Sequence, residues 1–400
     1  MTDLFWPGDQ RAGDVMSGSA FLTAMVEVEN AWLAALVNSG VAPPAARVDL
    51  TERVSEADVE AIAAGAEADG TPVVGLVALL RDRTGGEPAR WLHRGLTSQD
   101  VVDTALMVCL RDGMSVIRDE LTAQVRSLAT MVEANQHSPM LARTLTQAAL
   151  PSTVGARMAN WLSGVLDAAD IVAALPSLPV QAGGAAGTLS AATELTGSPD
   201  AALGLCDAFA SAVGLAAAAP WHTTRSVITR AGDAMVTCCD AWGHIANDVA
   251  TASRTEIGEM TEGTGGRSST MPHKANPVLS VMIRRAALTA PALGATLHTA
   301  AAAGVDERSD GGWQAEWATL RTLTRRALVA ACETTEMIAN LEIDTGRAES
   351  NLAAAGDILA EQRSMAELAG RPVHSTYLGA IDHLVDAVLQ RAGDHLKQAT

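Results

Sequence analysis

The feature that most constrains the fold is a stretch from Val101 to Asn135 in which apolar residues recur at helical spacing without a proline. About 35 residues at ~1.5 Å each span roughly 50 Å, which is longer than an ordinary globular helix. A helix of this length needs partners of similar length to bury its apolar face. The apolar positions are Leu106, Leu110, Met114, Ile117, Leu121, Val125, Leu128 and Val132.

Four further stretches carry the same pattern and predict a bundle of five long helices. A shorter helix is predicted from about Ser19 to Asn38, ending before Gly40. Aromatic residues make up only 3% of the chain, so the core must use small and aliphatic side chains at close helix contacts. We therefore predict an all-α fold. The four stretches are Ser152 to Leu175, Ile228 to Ser253, Val278 to Ala303, with a kink expected at Pro291, and Trp313 to Leu341.

Glycine and proline punctuation predicts three domains along the chain. The region from Gly70 to Pro88 separates a small N-terminal helical domain, residues 1–93, from the long helices. The central long-helix bundle takes residues 94–341 and includes a loop at residues 263–277. A short C-terminal helical domain takes residues 342–400.

Charge and composition limit the classes of partner. A net charge of −18 argues against nucleic acid and against an anionic membrane surface. The chain has no apolar run of membrane-spanning or signal length, so we expect a soluble, cytoplasmic protein. Five scattered cysteines give neither a disulfide framework nor metal-ligand spacing, and no metal is expected. A small anionic substrate stays possible because a local cluster of cations can override the global field.

The loop from Gly265 to Pro277 concentrates the chemistry of the chain and reads Gly-Gly-Arg-Ser-Ser-Thr-Met-Pro-His-Lys-Ala-Asn-Pro. Its two glycines let the backbone move, whereas its two prolines stiffen the far side and open the helical pattern that follows. Such a loop can move and then hold charge. Its polar side chains suited to act on an anion are Ser268, Ser269, Lys274 and Asn276.

This loop resembles the signature loop of the aspartase/fumarase superfamily, Gly-Ser-Ser-x-Met-Pro-x-Lys-x-Asn-Pro, and departs from it only at Arg267. The resemblance implies a long helical bundle with small N- and C-terminal helical domains. It implies a homotetramer whose active sites each draw on three subunits, and no cofactor. It also implies that Ser269 moves the catalytic proton, assisted by Ser268 and Lys274, while Asn276 donates to a substrate carboxylate.

Two further segments resemble conserved regions of the same superfamily. The first reads His-Arg-Gly-Leu-Thr-Ser-Gln-Asp and the second Arg-Thr-Leu-Thr-Gln. In adenylosuccinate lyases the second region reads Arg-Thr-His-x-Gln, so Leu145 replaces the histidine that protonates the purine leaving group, and leucine cannot move a proton. The resemblance assigns substrate contact to His93, Thr97, Ser98, Arg143, Thr144 and Gln147.

Three segments look like 3-carboxy-cis,cis-muconate cycloisomerases within that superfamily: Leu4–Asp9, Gln181–Thr188 and Pro220–Arg225. The glycine run of the second permits close backbone approach to a ligand or a neighbouring helix. A guanidinium offers a planar fork for a carboxylate. The segment Asp306–Arg308 also fits the family, where this stretch contributes a substrate-facing arginine. The resemblance therefore adds substrate contacts at His222, Arg225 and Arg308.

The implied activity is a cofactor-free cycloisomerase that converts the tricarboxylate 3-carboxy-cis,cis-muconate to 4-carboxymuconolactone, in the protocatechuate branch of the β-ketoadipate pathway. One carboxylate adds across a double bond, and cations stabilise the aci-carboxylate that forms. Two alternatives stay open. One is a β-eliminating lyase on a succinate derivative, for which Leu145 argues against adenylosuccinate. The other is a non-catalytic structural member, against which the intact Ser269, Lys274 and Asn276 argue.

Overall fold

Helices make up most of the computed structural model, which describes residues 3–263, 266, 271 and 275–398. In chain order the elements are α1 Gly18–Asn38, α2 Asp58–Asp69, α3 Val73–Thr84, α4 Gly86–Trp91, α5 Ser98–Asn135, β1 Pro139–Thr144, β2 Gln147–Thr153, α6 Val154–Ala173, α7 Ser190–Thr196, α8 Pro199–Val213, α9 Ser226–Ala252, β3 Met260–Thr261, α10 Val278–Ala302, α11 Gly312–Ala339, β4 Glu342–Ile343, α12 Thr345–Ala353, α13 Ala360–Leu368 and α14 Ile381–Gln398.

The five predicted long helices are α5, α6, α9, α10 and α11, and the all-α class is confirmed. Their ends lie within three residues of the predicted ones. α5 is the longest, with 38 residues. α10 continues through Pro291, which lies inside the helix. α1 begins after Ser17, whose hydroxyl accepts a hydrogen bond from the Ala20 amide at 3.0 Å, as an N-cap serine does.

The chain forms two compact units, each built from three chain segments. The first unit takes residues 1–116, 175–233 and 291–328, and the second takes residues 117–174, 234–290 and 329–400. The division into three consecutive domains stays a prediction.

The core of the first unit combines a few large side chains with close helix contacts. Trp32 of α1 and Phe209 of α8 meet edge to face with ring centroids 5.5 Å apart. A Cβ at Gly113 of α5 would lie 2.9 Å from Thr324 Cγ2 of α11, so only glycine lets these helices approach so closely. The expected use of small residues at helix contacts is therefore observed here.

The core of the second unit contains a buried polar link between three helices. Trp242 of α9 donates its indole N–H to Gln124 Oε1 of α5 at 2.8 Å. The Gln124 amide in turn donates to the Ala331 carbonyl of α11 at 3.1 Å. A Cβ at Gly243 would lie 2.5 Å from Ala287 Cβ, so α9 and α10 also meet closely. Buried indole and amide groups are satisfied by each other, which fixes the register of these helices.

Two small antiparallel sheets complete the second unit. β1 pairs with β2, and β3 pairs with β4. The β1–β2 hairpin joins α5 to α6 and closes at a turn formed by Leu145 and Thr146, both with positive φ, 48° and 71°. Positive φ at both turn residues is the geometry of a type I′ hairpin, which favours asparagine and glycine. The hairpin therefore holds two side chains in a conformation that they adopt at some cost in free energy.

Candidate active site

The segment that begins at His93 forms the loop between α4 and α5, and α1 fixes its position. Trp32 donates its indole N–H to the Arg94 carbonyl at 2.7 Å. Arg81 donates to the Leu92 carbonyl at 2.9 Å. A Cβ at Gly95, where φ is 93°, would lie 3.3 Å from the Trp32 ring. The backbone on both sides of His93 is thus held against the first helix.

His93 forms a carboxylate–histidine pair with Glu29 of α1. Its Nδ1 lies 2.5 Å from Glu29 Oε1. The Glu29 carboxylate is fully buried, and its Oε2 has no hydrogen-bond partner in the described part of the chain. His93 has φ 61°, a left-handed backbone conformation that is uncommon for histidine. A carboxylate at Nδ1 favours the tautomer with a proton on that nitrogen and leaves the Nε2 lone pair available.

Asp100, near the start of α5, holds three chain segments together. Its Oδ2 accepts from the Thr97 and Gly184 amides, both at 2.9 Å. Its Oδ1 accepts from the Gly183 amide at 3.0 Å and lies 2.9 Å from His222 Nε2. Burial raises the pKa of Asp100 above its ordinary value, and the hydrogen bond with His222 opposes that rise. The buried Asp100 carboxylate therefore fixes the positions of the Thr97 loop, the Gly183–Gly184 turn and the His222 side chain relative to one another.

His222 is engaged within its own chain, because its side chain is 4% exposed and its Nε2 lies 2.9 Å from Asp100 Oδ1. Its contact with the substrate stays a prediction. The glycine run packs against its ring. A Cβ at Gly183 would lie 2.6 Å from His222 Cε1, and a Cβ at Gly187 would lie 3.2 Å from Nδ1. The close approach predicted for these glycines therefore serves the histidine of the same chain.

Arg308 connects three of the predicted segments. Its Nη2 donates to Thr97 Oγ1 at 2.9 Å and to the Ala185 carbonyl at 2.8 Å. The guanidinium is half-buried and keeps further N–H groups for a ligand. Ser98, also half-buried, is the first residue of α5. In the first unit the structure thus brings Arg308, Thr97 and the glycine run into direct contact.

Arg225 contacts carboxylates of its own chain, and its contact with the substrate stays a prediction. The guanidinium donates to Asp103 of α5 at 2.7 and 3.0 Å and to Glu316 of α11 at 2.5 to 3.2 Å. Its side chain is 1% exposed and lies over the Trp221 ring. Burial alone would lower the pKa of Arg225, but Asp103 and Glu316 raise it. Arg225 is therefore the centre of a buried ion cluster.

The hairpin carries the second predicted segment in the other unit. Arg143 donates to both oxygens of buried Glu259, at 2.7 and 3.1 Å. Thr144 and Gln147 pair across the turn and are exposed. Leu145 is 95% exposed at the tip. Thr144 and Gln147 are therefore free to meet a ligand, whereas the terminal nitrogens of Arg143 are engaged within the chain.

The described ends of the signature loop are paired. Gly266 and Asn276 exchange two backbone hydrogen bonds, at 2.7 and 3.0 Å. Beyond them, Glu262 accepts from the Leu279 and Ser280 amides at 2.9 and 2.6 Å, which caps the N-terminus of α10. The three predicted catalytic residues of this loop, Ser268, Ser269 and Lys274, lie outside the described residues.

Comparison with known proteins identifies the family. A family model described as Lyase matches residues 21–291, more than half of the chain. The chain belongs to this lyase family. The lyase is 40% identical to a nitrosuccinate lyase of Streptomyces davaonensis over 88% of this chain and 77% of the relative. It is 35% identical to a 3-carboxy-cis,cis-muconate cycloisomerase of Bradyrhizobium diazoefficiens over 93% of this chain and 82% of the relative.

A solved structure also resembles this lyase. The 3-carboxy-cis,cis-muconate lactonizing enzyme of Pseudomonas putida superimposes with a TM-score of 0.81 at 28% identity, covering 96% of this chain and 86% of that one. The predicted membership of the aspartase/fumarase superfamily is confirmed. The two relatives catalyse different reactions according to their names, and therefore the comparisons establish the superfamily but not the reaction of this chain.

The residues that sequence reasoning missed are the buried carboxylates that position the lyase's predicted site. Glu29, Asp103 and Glu316 occupy polar positions within apolar helical patterns, which was the available signal, whereas Glu259 and Glu262 lie in a mixed polar stretch that carries no such signal. Within the described residues, no group of three or more histidine, cysteine, aspartate or glutamate side chains is arranged to hold a metal ion. The missed carboxylates are Glu29, Asp103, Glu259, Glu262 and Glu316.

Proposed function

We propose that this lyase makes or breaks a bond at the carbon β to a carboxylate of a small polycarboxylate, and that its leaving group departs as a stable oxyanion. Nitrosuccinate is the first proposed substrate. Leu145 carries the proposal, because it stands at the exposed tip of the hairpin where adenylosuccinate lyases have their acid histidine.

The leaving group decides which substrates fit a leucine at this position. An amine or purine nitrogen is a strong base and needs a proton as it leaves, which leucine cannot supply. Nitrite is a weak base and leaves without protonation. A carboxylate, the group that a cycloisomerase adds and removes, also leaves as an anion. Leu145 is therefore compatible with elimination of nitrite from nitrosuccinate and with cycloisomerisation of the muconate, and it argues against adenylosuccinate as the substrate.

For nitrosuccinate the steps balance without a cofactor. A base removes a proton from the carbon next to one carboxylate, and that carboxylate takes the charge as an aci-carboxylate. The electron pair then forms the C=C bond while the C–N bond breaks, giving fumarate and nitrite. We propose Ser269 as the base, with Ser268 and Lys274 in support, by the resemblance of the signature loop. Stabilising the doubly charged aci-carboxylate group of this intermediate is the main electrostatic task of the site.

The first unit offers groups suited to that task. Arg308 has N–H groups beyond those on Thr97 and the Ala185 carbonyl. The Glu29–His93 pair presents Nε2 as a polar group held in one orientation. We propose that both contact substrate carboxylates, together with Thr97 and Ser98. Thr144, Gln147 and Asn276 complete the proposed set.

Cycloisomerisation of 3-carboxy-cis,cis-muconate is the second candidate. The 35% identical relative supports it, as do the glycine and Pro220–Arg225 segments of the sequence. It needs the same proton carrier and the same carboxylate-binding groups.

A substrate panel tests the function. Purified protein is mixed separately with nitrosuccinate, 3-carboxy-cis,cis-muconate and adenylosuccinate, and fumarate release or loss of muconate absorbance is followed. We expect nitrosuccinate to give the highest kcat/KM and adenylosuccinate to give no turnover. Ser269→Ala should lower kcat by ~10²-fold or more, with Ser268→Ala as the milder control. Turnover of adenylosuccinate would contradict the leaving-group argument, and preference for the muconate would select the second candidate.

We propose that the active form is a homotetramer with active sites shared between three subunits. α10 supports this, because its exposed side chains include Val281 and Leu288, seven residues apart on one helical face. Only 28% of its most apolar stretch is buried. An apolar face of this kind is covered in a stable soluble protein, and a second copy covers it without another partner.

Two experiments test the assembly. Mixing inactive His93 and Ser269 variants should restore part of the activity if sites combine subunits, and no recovery after verified subunit exchange would contradict shared sites. Leu288→Asp should dissociate the oligomer in sedimentation velocity. Leu368→Asp in α13 is the matched control, because Leu368 is 82% exposed and Leu288 is 79% exposed.

A further inference from the structure

A cavity of about 520 Å³ lies in the second unit, between the β1–β2 hairpin, α6 and α14. Its volume is in the range of small-molecule pockets. Arg143, Arg157, Asn160 and Asp248 line its polar side, and Leu384 and Val388 of α14 line its apolar side. Of the hairpin residues that the resemblance assigns to the substrate, Arg143 lines the cavity with its terminal nitrogens on Glu259, whereas Thr144 and Gln147 do not line it.

Arg157 of α6 is the unusual group in this cavity. Its side chain is 22% exposed and makes no hydrogen bond within the described chain, only an ion contact of 3.8 Å with Glu259 Oε2. Burial lowers the pKa of Arg157, and Asp248 and Glu259 oppose that effect only in part. Arg157 therefore lines the cavity with a guanidinium that has hydrogen-bond donors to offer a ligand.

The neighbouring carboxylate is already engaged. Glu259 Oε1 accepts from Arg143 at 2.7 Å and from Asn351 at 2.8 Å, and Oε2 accepts from Arg143 at 3.1 Å. Two guanidiniums thus share one carboxylate, and Arg143 holds it. An external carboxylate would satisfy Arg157 with the bidentate geometry that guanidinium favours.

The apolar wall is held in place by ion pairs. Arg391 of α14 contacts Asp167 at 2.7 Å and Asp170 at 2.6 Å, both on α6. Gln136 donates to Asp386 of α14 at 3.2 Å. The cavity is therefore a formed part of the unit, with a cationic side and an apolar side.

We propose that this cavity is a second ligand site, separate from the substrate site, that binds a small monocarboxylate with an apolar body. The carboxylate would lie on Arg157, within reach of the Asn160 amide, and the apolar body against Leu384 and Val388. One guanidinium without a hydrogen bond matches one carboxylate, and Asp248 opposes a second negative charge. A dicarboxylate or tricarboxylate substrate is therefore disfavoured here. The proposal does not depend on the reaction that the lyase catalyses.

Calorimetric titration of the intact protein with hexanoate, and with neutral hexanamide, tests the site. We expect saturable binding of hexanoate and none of hexanamide. Arg157→Gln should weaken hexanoate binding by ~10-fold or more, the loss expected for a charge-assisted hydrogen bond. Leu384→Asp should weaken it as well, by placing a negative charge on the apolar wall. Arg126→Gln, on the exposed side of α5, is the matched control and should bind as the wild type does.

Three outcomes would overturn the proposal. Hexanoate affinity could be equal in Arg157→Gln and wild type, or hexanoate could fail to bind saturably. Hexanoate could also be displaced by the substrate that the panel identifies, which would make the cavity part of the substrate site. If Arg157→Gln has an altered melting temperature, Leu384→Asp, whose side chain is 65% exposed, decides the result.

Discussion

Replacing Arg225 by methionine separates a structural role from a role in substrate binding. The structure places its guanidinium between Asp103 and Glu316, both fully or almost fully buried. The substitution would leave two carboxylates without their cation in the core. Breaking a buried ion pair by removing one partner costs about 3–5 kcal/mol. Since Trp313 still donates to Asp103 at 2.9 Å, one of the two carboxylates keeps a hydrogen bond.

Burial raises the pKa of Glu316, and Arg225 is the main group that opposes the rise. Without Arg225 this carboxyl takes up a proton more readily, which relieves the repulsion. We therefore expect Arg225→Met to lose about 3 kcal/mol of the free energy of unfolding at pH 7, near the lower end of the range, and less at pH 5. The triple variant Arg225→Met/Asp103→Asn/Glu316→Gln should recover part of the loss, because no charge stays buried.

Urea denaturation followed by tryptophan fluorescence measures these differences at one fixed protein concentration. The slopes of the transitions should agree between variants, so that the midpoints report stability. A loss of activity in Arg225→Met with a stability change below about 1 kcal/mol would refute the reasoning, since surface changes alone reach about half that size. The guanidinium would then serve the substrate, as the sequence predicted.

Three further predictions concern the polar groups around the site. Glu29→Gln should shift the ¹⁵N signals of His93 away from the Nδ1–H tautomer and lower kcat by ~10-fold; unchanged signals would show that Glu29 does not orient the ring. Gly183→Ala places a Cβ 2.6 Å from His222 Cε1 and should cost about 1–3 kcal/mol in thermal or urea unfolding; an unchanged melting temperature would contradict the close packing. Burial, reinforced by Asp112, raises the pKa of Glu27 above its ordinary 4.5. The ionised carboxylate is therefore less favourable in the folded state, and stability falls as the pH rises above about 4.5. In paired melting curves, Glu27→Gln should be more stable than wild type at pH 7 by a few tenths of a kcal/mol and equal to it below about pH 4.

The helices followed from the sequence because their signals are local. Apolar spacing and a following glycine placed α1 within one residue at its start, Ser19 predicted against Gly18 observed, with Asn38 as its end in both. A proline alone did not end α10, because residues on both sides of Pro291 continue the helix. The hairpin was not predicted, since two short strands with a Leu145–Thr146 turn carry none of the usual turn residues.

The partners of the polar side chains could not be predicted from local patterns. Arg225 finds Asp103 at a sequence separation of 122 residues and Glu316 at a separation of 91. A guanidinium near an anionic site and a guanidinium in a buried cluster look alike in sequence. Only the fold shows which carboxylate each one meets. The same holds for His222 and Asp100, whereas the contact of Arg308 with Thr97 joins two residues that the resemblance had already selected.

The four hydrogen bonds of Asp100 have a consequence for protein engineering. One carboxylate secures the Thr97 loop, the Gly183–Gly184 turn and the His222 side chain, which are far apart along the chain. These three segments therefore have to be exchanged together when two related sequences are recombined. A chimera could take the glycine turn from a relative without the matching start of α5 and the matching histidine loop. It would then leave buried polar atoms without hydrogen-bond partners. Recombination breakpoints that keep all three segments together should therefore give better-folded hybrids.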